Sequence, residues 1–380
     1  MPEEYDYDLV VVGGGPAGSS AAFAAAKNGI KVALIEKENS IAETVRTSGV
    51  TWIESIKEFG IPDNCYNPIK NFSFVSPNNE VTISDSIATA AVLDVRKTYR
   101  WLANEAEETG ADIFLKININ EVIKNENNDI VGVKGTGPKG EIIFHSKIVI
   151  DATGFTSVIS KAMGFVTQWK RFGAGAEYEA IVENSDPDTW WLMVGQEYTP
   201  AGYAWIFPLG NNIVRIGVGV GKPESDIDPT QRLKEIIEKQ LGPIKKLGKI
   251  TPIEFHYGLI PNDGLSRKTV FNNLILVGDS AGQANPLVLE GIRYAIRFGR
   301  VAGKVASDAI KNKKTDKEAL LFACIKLEIL SGLESLKEDA ARRQAIQLQM
   351  LTNKFNKSSD GLDNLDGLLV SFISCPLYTS

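Results

Sequence analysis

A glycine-rich segment near the start of the sequence has the spacing of a dinucleotide-binding turn. Gly13, Gly15 and Gly18 fit the pattern G-x-G-x-x-G between an apolar run, YDLVVV, and an alanine-rich stretch. The first glycine permits a tight turn, the second lets the backbone approach a pyrophosphate, and the third lets a helix pack closely on the sheet. Glu36 ends the next apolar run, IKVALIE, where a carboxylate can accept hydrogen bonds from ribose hydroxyls. We therefore expect a βαβ unit that binds a dinucleotide.

Two later segments indicate which dinucleotide is bound. Residues 150–154 (IDATG) end an apolar run with a small-residue turn, and Gly278 and Asp279 end another, NLILVGD, before a helical stretch. An aspartate at that place suits the ribityl chain of a flavin, with helical N–H groups facing the pyrimidine end of the ring. A nicotinamide enzyme built from two plain halves has no reason to carry this late segment. The sequence therefore predicts FAD as the cofactor.

The composition argues against several other kinds of chemistry. A formal charge of −6 offers no basic surface to nucleic acid. Three separated cysteines without a C-x-x-C argue against a disulfide framework, a zinc site or an iron–sulfur cluster, so we expect no metal and a reducing cytoplasm. His145 and His256 are the only histidines, which disfavours metal-dependent hydrolysis and histidine-based nucleophilic catalysis. We expect His145 to be a packing or edge residue; for His256, packing is the leading interpretation and a place near a site is the alternative.

The sequence predicts no membrane-spanning segment. No apolar run reaches the roughly 18–20 residues that such a helix needs. The acidic start, MPEEYDYD, leads directly into a predicted strand, which is not typical of a signal peptide. Residues 304–357 mix charged and apolar residues, which is typical of a solvated helical cap; attachment to a membrane surface is the alternative. We expect a cytoplasmic protein, with peripheral membrane contact as a further possibility.

The periodicity divides the chain into two kinds of segment. Short β-branched runs such as 7–12 and 147–152 are typical of buried parallel strands, and 113–124 is expected to form one strand. Residues 174–221 instead alternate aromatic and polar residues, which is typical of an antiparallel sheet with one covered face. We expect an α/β fold in which a Rossmann-type FAD-binding domain (1–70, 88–162 and 263–315) is interleaved with an antiparallel-sheet substrate domain (71–87 and 163–262), followed by a C-terminal helical region (316–380).

The combination of GGGPAG, Glu36, IDATG and GDSAG resembles the flavoproteins with the p-hydroxybenzoate hydroxylase fold. Within that group, residues 200–210 (PAGYAWIFPLG) are similar to the Y-x-W-x-F-P signature of the archaeal geranylgeranyl reductases, and the resemblance spans roughly residues 5–310. It implies an FAD-dependent reductase that saturates isoprenoid double bonds, such as the geranylgeranyl chains of archaeal-type ether lipids. It also implies that NAD(P)H or a ferredoxin-like protein donates the electrons.

The resemblance also implies a set of cofactor-binding residues. Ala17 and Glu36 belong to the ADP half, Val122 meets the adenine through its backbone, and Arg96 reaches the cofactor. The loop VRTSGV corresponds to a segment beside the isoalloxazine. The full implied set is Gly13, Gly15, Ala17, Gly18, Glu36, Thr47, Ser48, Arg96, Val122, Gly278, Asp279, Gly291 and Ile292.

Tyr203, Trp205 and Phe207 alternate along a predicted strand, so their side chains face the same side. The resemblance implies that they form the wall of a long apolar substrate pocket; the alternative is an ordinary sheet core that faces a helix. In a reductase, the proton that accompanies the hydride would come from Tyr203, from water or from the loop at Thr47 and Ser48. These three residues are therefore the candidate catalytic residues.

Two segments close to the flavin depart from the archaeal reductases. The loop reads VRTSGV where those enzymes usually carry a cysteine, and residues 286–291 (PLVLEG) replace a glycine triplet. Two other functions therefore stay open: an FAD-dependent monooxygenase (a hydroxylase) of the same fold, and a flavin-binding protein with a decayed site. An aliphatic tunnel without an arginine to hold a carboxylate would favour the reductase, and a compact polar pocket would favour the hydroxylase.

Overall fold

The computed structural model describes residues 2–164, 169–264, 269–271, 273–286 and 288–315, so the predicted C-terminal helical region at 316–380 lies outside the described residues. The helices are α1 (Pro16–Lys27), α2 (Ile53–Phe59), α3 (Val95–Glu108), α4 (Val158–Ala162), α5 (Pro229–Glu238) and α6 (Ile292–Lys311). The strands are β1 (Glu3–Asp6), β2 (Leu9–Val12), β3 (Val32–Ile35), β4 (Val50–Trp52), β5 (Tyr66–Ile69), β6 (Asn71–Val75), β7 (Glu80–Ser84), β8 (Ala90–Leu93), β9 (Ala111–Phe114), β10 (Asn118–Lys124), β11 (Ile130–Gly137), β12 (Gly140–His145), β13 (Ile148–Asp151), β14 (Phe172–Val182), β15 (Thr189–Gly195), β16 (Thr199–Gly210), β17 (Ile213–Lys222), β18 (Ile250–Pro261), β19 (Val270–Phe271) and β20 (Leu274–Leu276).

A central sheet with the order β19–β20–β13–β2–β3–β9 carries the dinucleotide motif. Its strands are parallel except for β19, which pairs antiparallel with β20 at one edge. The strands are apolar on both faces because both faces are covered. Leu9 and Val11 pack with α1 and α6, whereas Val10 and Val12 pack against the sheet β1–β12–β11–β10. This is the Rossmann-type α/β arrangement that the sequence predicts.

A seven-stranded sheet with the order β18–β14–β17–β16–β15–β6–β7 forms the second large unit. Its neighbours are antiparallel, apart from the parallel pair β15 and β6. Side chains alternate between its two faces. One face, with Ala174, Ala204 and Ile216, packs on Leu233 and Ile236 of α5. The opposite face is free to line a site between the two sheets.

One predicted strand was wrong. Residues 113–124 form two strands, β9 and β10, which belong to different sheets. Lys116 adopts a left-handed conformation with φ 58°, and its N–H donates to the carbonyl of Glu38. That turn takes the chain away from the central sheet and into the neighbouring one, so a single apolar run was misread as continuous.

Candidate active site

One cavity of about 2960 Å³ extends between the central sheet and the seven-stranded sheet. Pockets for small molecules commonly measure about 300–1,000 Å³, so there is room here for a dinucleotide together with a long substrate. Most of the residues expected at the site line this cavity: Gly13, Gly15, Ala17, Glu36, Thr47, Ser48, Tyr203, Trp205, Phe207, Gly278, Asp279, Gly291 and Ile292.

The three glycines of the turn differ in the space beside their Cα atoms. A Cβ on Gly15 would meet no atom within 4 Å, whereas a Cβ on Gly13 or Gly18 would overlap backbone atoms. Gly18 therefore serves helix packing and does not line the cavity, and Gly15 leaves open space at the N-terminus of α1. Oε2 of Glu36 accepts a 2.7 Å hydrogen bond from the N–H of Gly14 and Oε1 accepts one of 2.9 Å from Glu38, which fixes the carboxylate at the cavity wall.

A half-buried carboxyl also lines the cofactor half of the cavity. Burial raises the pKa of Asp279 from 3.8 to about 7. Gly291 precedes α6, and a Cβ on it would lie 3.4 Å from Oδ1 of Asp279, so only a small residue keeps this corner open. A cavity-facing carboxyl with this much desolvation suits a ligand that brings hydroxyl donors, as the ribityl chain does. Together with the space above Gly15, the residues fit FAD.

The cavity face of the seven-stranded sheet is organised in rows that run across its strands. Strand register places side chains of β18, β14, β17 and β16 side by side, and rows two residues apart share this face. Three such rows follow one another. The charged row is Glu254–Glu179–Arg215–Phe207, the mixed row is His256–Glu177–Gly217–Trp205, and the glycine row is Gly258–Gly175–Gly219–Tyr203.

The mixed row is a hydrogen-bonded chain of buried groups. Nε1 of Trp205 donates a 3.0 Å hydrogen bond to Oε2 of Glu177, and Nδ1 of His256 lies 2.8 Å from Oε1 of the same carboxylate. Glu177 and His256 are each 3% exposed. A Cβ on Gly217 would overlap the Trp205 ring, so the glycine lets the indole cross β17. The chain fixes the orientation of Trp205 at the cavity wall.

In the charged row, Arg215 connects the sheet to the loop of Thr47 and Ser48. Its guanidinium is 2% exposed and donates 2.9 Å hydrogen bonds to the carbonyls of Ser48 and Leu93. Nη2 lies 3.1 Å from Oε2 of Glu179, which balances its charge. Arg215 therefore positions the loop backbone beside the cavity, which Thr47 and Ser48 line.

Tyr203 reaches from the glycine row to the loop before α6. Its hydroxyl donates a 2.8 Å hydrogen bond to the carbonyl of Val288. Burial, together with the nearby charge of Glu290, raises the pKa of Tyr203 to about 12. The hydroxyl is thus engaged as a donor to the backbone and is a weaker acid than an ordinary tyrosine.

Sequence comparison places the chain among known enzymes. Residues 8–180 match the family model of FAD dependent oxidoreductases, and residues 173–260 match that of the geranylgeranyl reductase catalytic domain. A digeranylgeranylglycerophospholipid reductase of Methanocaldococcus jannaschii is 34% identical over 376 residues, covering 94% of this chain and 92% of the relative. The chain belongs to the geranylgeranyl reductase family of FAD-dependent oxidoreductases. The resemblance found in the sequence and the predicted cofactor, FAD, are confirmed.

Other relatives of this reductase agree. A digeranylgeranylglycerophospholipid reductase of Methanopyrus kandleri is 34% identical, covering 82% of this chain and 83% of the relative. A crystal structure of a geranylgeranyl bacteriochlorophyll reductase-like protein from Thermoplasma acidophilum superposes with a TM-score of 0.79 and 27% identity, covering 89% of this chain and 88% of that one. A probable FAD-dependent monooxygenase from Pseudomonas aeruginosa, at TM-score 0.65 and 13% identity over 88% of this chain and 94% of that one, shares the fold alone.

Besides Gly18, two residues expected at the cofactor of the reductase do not line the cavity. Arg96 does not line the cavity; its guanidinium lies 2.6 Å from Glu254 and donates to the carbonyls of Ala42 and Glu43. Val122 lies on β10, and residues 117–119 line the cavity in its place. The roles of Arg96 and Val122 at the cofactor stay predictions.

Sequence reasoning missed the groups that hold the site of the reductase together. Glu177, Glu179 and Arg215 are charged residues at alternate positions of otherwise apolar strands. That alternation was a usable signal, because a charge that faces a buried side needs a partner. Glu290, which lines the cavity beside Tyr203, was noticed only as part of a departure from the glycine triplet.

Proposed function

We propose that this chain is an FAD-dependent reductase that saturates isoprenoid double bonds of the geranylgeranyl type in archaeal-type ether lipids or their precursors. The observation that carries the proposal is the continuity of the cavity: the same space touches Gly15 and Asp279 at the cofactor half and Trp205 and Phe207 at the seven-stranded sheet. A substrate on that aromatic wall would lie next to the flavin end of the cofactor. The activity in the names of the Methanocaldococcus and Methanopyrus relatives supports the same substrate class.

The wall beyond Trp205 suits a hydrocarbon chain. Phe72, Trp190 and Phe207 are buried in one apolar cluster with Trp205, and all four line the cavity. Trp190 packs against Phe72 with ring centroids 4.9 Å apart. Such a surface binds by burial of apolar area and aromatic contact, and it has no use for a carboxylate on the substrate. This wall favours a polyprenyl chain, whereas the lining elsewhere includes Arg46, Arg171, Arg293 and Arg297, so the arginine-free tunnel expected for a reductase is not observed.

The residues of this chain organise the reaction. When bound and reduced, FAD supplies a hydride to one carbon of the double bond. Arg215 holds the carbonyl of Ser48, so the loop backbone beside the isoalloxazine is fixed. The ordered wall of Trp205 and Phe207 places the alkene and keeps water away from it. Thr47, Ser48 and Tyr203 remain the predicted sources or relays of the proton.

The lipid is proposed to enter over β7, in peripheral contact with a membrane surface. Val81, Ile83 and Ile87 are exposed by 47%, 36% and 69%, and Ile83 and Ile87 line the cavity. Exposed apolar side chains at the rim of a cavity are typical of lipid or partner contacts. No helix in the described ranges is long and apolar enough to span a membrane. NAD(P)H and a ferredoxin-like protein remain the proposed electron donors.

Anaerobic photoreduction of the purified yellow protein tests the proposal. The reduced protein is mixed with a phospholipid that carries two geranylgeranyl chains while the flavin absorbance is followed. Reoxidation without oxygen, with a gain of two hydrogens for each double bond by mass spectrometry, is the expected result. A flavin that stays reduced until air is admitted would overturn the lipid assignment and favour the hydroxylase.

A pair of phenylalanine variants tests the wall in the same assay. Phe207→Ala removes a buried ring from the cavity and should weaken lipid binding at least tenfold, a loss of about 1.4 kcal/mol. Phe255→Ala removes a ring that is 45% exposed on the opposite face of the sheet and should leave lipid binding unchanged. Equal lipid affinities for the two variants would place the substrate elsewhere.

A further inference from the structure

Saturation of a double bond needs a proton as well as a hydride, so a group of the cavity wall close to the substrate must supply one. The hydroxyl of Tyr203 already donates to the carbonyl of Val288, and its pKa is raised to about 12. The hydroxyls of Thr47 and Ser48 are weaker acids still, since aliphatic alcohols ionise less readily than phenols. An effective general acid should ionise nearer to neutral pH. Two carboxyls of the cavity wall have a raised pKa: Asp279, which belongs to the cofactor half, and Glu290, which stands beside Tyr203.

Glu290 is a carboxyl in that position. It lies in the loop just before α6 and lines the cavity with Tyr203. Its side chain is 11% exposed, and Oε2 lies 2.9 Å from Nε of Arg293. Oε1 is buried and has no hydrogen-bond partner among the residues that the structure describes. One oxygen of the carboxyl thus faces Arg293, and the other is buried without a hydrogen bond.

The surroundings of Glu290 favour a carboxyl that holds a proton. Burial raises its pKa, although the charges of Arg293 and Arg297 on α6 and the nearby side chain of Trp52, the last residue of β4, oppose the shift. On the side of the sheet, Tyr203 is close enough for the charge of Glu290 to raise the tyrosine pKa. Once the proton has left, Arg293 stabilises the carboxylate that remains.

The backbone of the loop brings Glu290 to the cavity. The N–H of Asn285 donates to the carbonyl of Glu290 at 2.8 Å, which holds these two residues together just before α6. Leu289 adopts φ 57°, a left-handed conformation that glycine would adopt more readily. Its side chain fills the space where a Cβ on Gly173 would stand. Leu289 therefore packs on the sheet, and the next side chain, Glu290, lies in the cavity wall.

We propose that Glu290 is a catalytic residue that delivers the proton to the substrate carbon that does not receive the hydride. This inference rests on the proposed function. The O–H bond of Glu290 would break and a C–H bond would form at one alkene carbon, while the other carbon would receive two electrons and one hydrogen from reduced FAD. The π bond is lost, the flavin is oxidised by two electrons, and Glu290 is left as a carboxylate that solvent reprotonates. Atoms and charges balance with no further reactant.

The test compares Glu290→Gln with wild type as FAD-loaded full-length protein. Glutamine keeps the size of the side chain but has no proton of comparable acidity to give. After anaerobic photoreduction, the rate of flavin reoxidation by the phospholipid with two geranylgeranyl chains should fall at least 100-fold, within the range for loss of a general acid. Lipid affinity, from titration of the oxidised protein, should change less than threefold. Glu290→Asp should recover part of the rate.

A matched control removes another ion pair of the same spacing. Glu235 lies 2.8 Å from Arg232, three residues away on α5, and does not line the cavity. The photoreduced flavin of the Glu235→Gln variant should be reoxidised by the lipid at the wild-type rate. A second measurement does not depend on turnover: the infrared difference spectrum between wild-type and Glu290→Gln apoprotein, recorded at a pH above the ordinary pKa of a glutamate, should contain the C=O stretch of a protonated carboxyl. The Glu235→Gln difference should contain only carboxylate bands, since hydrogen bonding to Arg232 lowers the pKa of Glu235.

The outcomes separate this inference from the proposed function. If wild type reduces the lipid and Glu290→Gln does so at the same rate, Glu290 is not the proton donor and the reductase function stands. Absence of the protonated-carboxyl band would overturn the inference as well. If Glu290→Gln fails to fold or to retain FAD, Glu290→Asp decides: a wild-type rate contradicts the inference. If reduced wild-type protein never reacts with the lipid, the proposed function itself fails.

Discussion

Nε1 of Trp205 and Oε2 of Glu177 are joined by a 3.0 Å hydrogen bond, although a whole strand, β17, separates the strands that carry them. The indole reaches across because Gly217, on the intervening strand, has no side chain. His256 holds the other oxygen of Glu177 from the edge strand. Three residues that are far apart in sequence thereby fix the orientation of one aromatic ring at the cavity wall.

Gly217→Ala should displace that ring. Its Cβ would overlap the Trp205 indole, so the hydrogen bond to Glu177 would be broken or strained. We expect the free energy of unfolding to fall by about 1–3 kcal/mol, as for other overpacked cores, and lipid binding to weaken. Urea unfolding and lipid titration measure the two effects. Gly219→Ala, two residues along the same strand, places its Cβ 3.3 Å from the ring and should be much milder; equal losses in the two variants would contradict the argument.

Gly15→Ala should impair FAD binding without harming the fold. Its Cβ would enter open space at the cavity, so the free energy of unfolding of the apoprotein should stay within about 0.5 kcal/mol of the wild-type value. The methyl group would occupy the approach of the pyrophosphate, and FAD affinity should fall at least tenfold, or about 1.4 kcal/mol. Flavin fluorescence titration and thermal unfolding of the apoprotein check these values.

Gly18→Ala is the control for that experiment. Its Cβ would overlap the carbonyl oxygen of Gly13, so the apoprotein itself should lose stability. If Gly15→Ala destabilised the apoprotein as strongly as Gly18→Ala, the conclusion that a Cβ on Gly15 meets no other atom would be wrong.

Asp279 should make the apoprotein less stable as the pH rises from about 4 to about 7. Its pKa is raised from 3.8 to about 7 by burial, so in that window the folded chain holds a proton that the unfolded chain has lost. The free energy of unfolding therefore falls with increasing pH, by at most about 4 kcal/mol at 1.36 kcal/mol for each pKa unit. Asp279→Asn should flatten this part of the profile in urea unfolding.

Asp308 provides the control for the pH profile. Burial alone would raise its pKa, but hydrogen bonds from Lys304 and Asn28 lower it below the ordinary value of 3.8. The contribution of Asp308 to the free energy of unfolding therefore changes only below pH 4. Asp308→Asn should leave the slope of the free energy of unfolding between pH 4 and 7 as in wild type. A wild-type slope in Asp279→Asn would show that another group causes the dependence.

Tyr203→Phe should affect stability more than chemistry. The variant loses one hydrogen bond to the carbonyl of Val288, which contributes about 0.5–1.5 kcal/mol, and the aromatic wall is retained. If Glu290 delivers the proton, reoxidation of the photoreduced flavin by lipid should slow less than tenfold. A decrease of 100-fold or more, with normal FAD content, would restore Tyr203 as the proton donor.

Local patterns allowed the sequence to predict the cofactor and the fold. The turn from Gly13 to Gly18 and the carboxylate of Glu36 lie within one βαβ unit, so their spacing in sequence determines their spacing in space. The alternation of Tyr203, Trp205 and Phe207 likewise needs only the period of a strand. These features could be predicted because each depends on one secondary-structure element or on two adjacent ones.

The network around the cavity could not be predicted because it depends on register between distant strands. Glu177 and His256 are adjacent only because β14 and β18 pair in one register, and a shift by one residue would turn either side chain to the opposite face. His256 is buried as expected, yet it lies at the cavity wall. The contact of Arg215 with Ser48 joins segments 167 positions apart, and no periodicity in either segment reports it.

The parallel pairing of β6 with β15 has a consequence for synthesis of the chain. Phe72 and Phe74 leave the ribosome more than a hundred residues before their partners Trp190 and Leu192. At roughly 5–20 residues per second, the hairpin of β6 and β7 waits at least several seconds with its aromatic side chains uncovered. Translation pauses or chaperones that act between residues 84 and 189 should therefore determine how much of the nascent chain escapes aggregation.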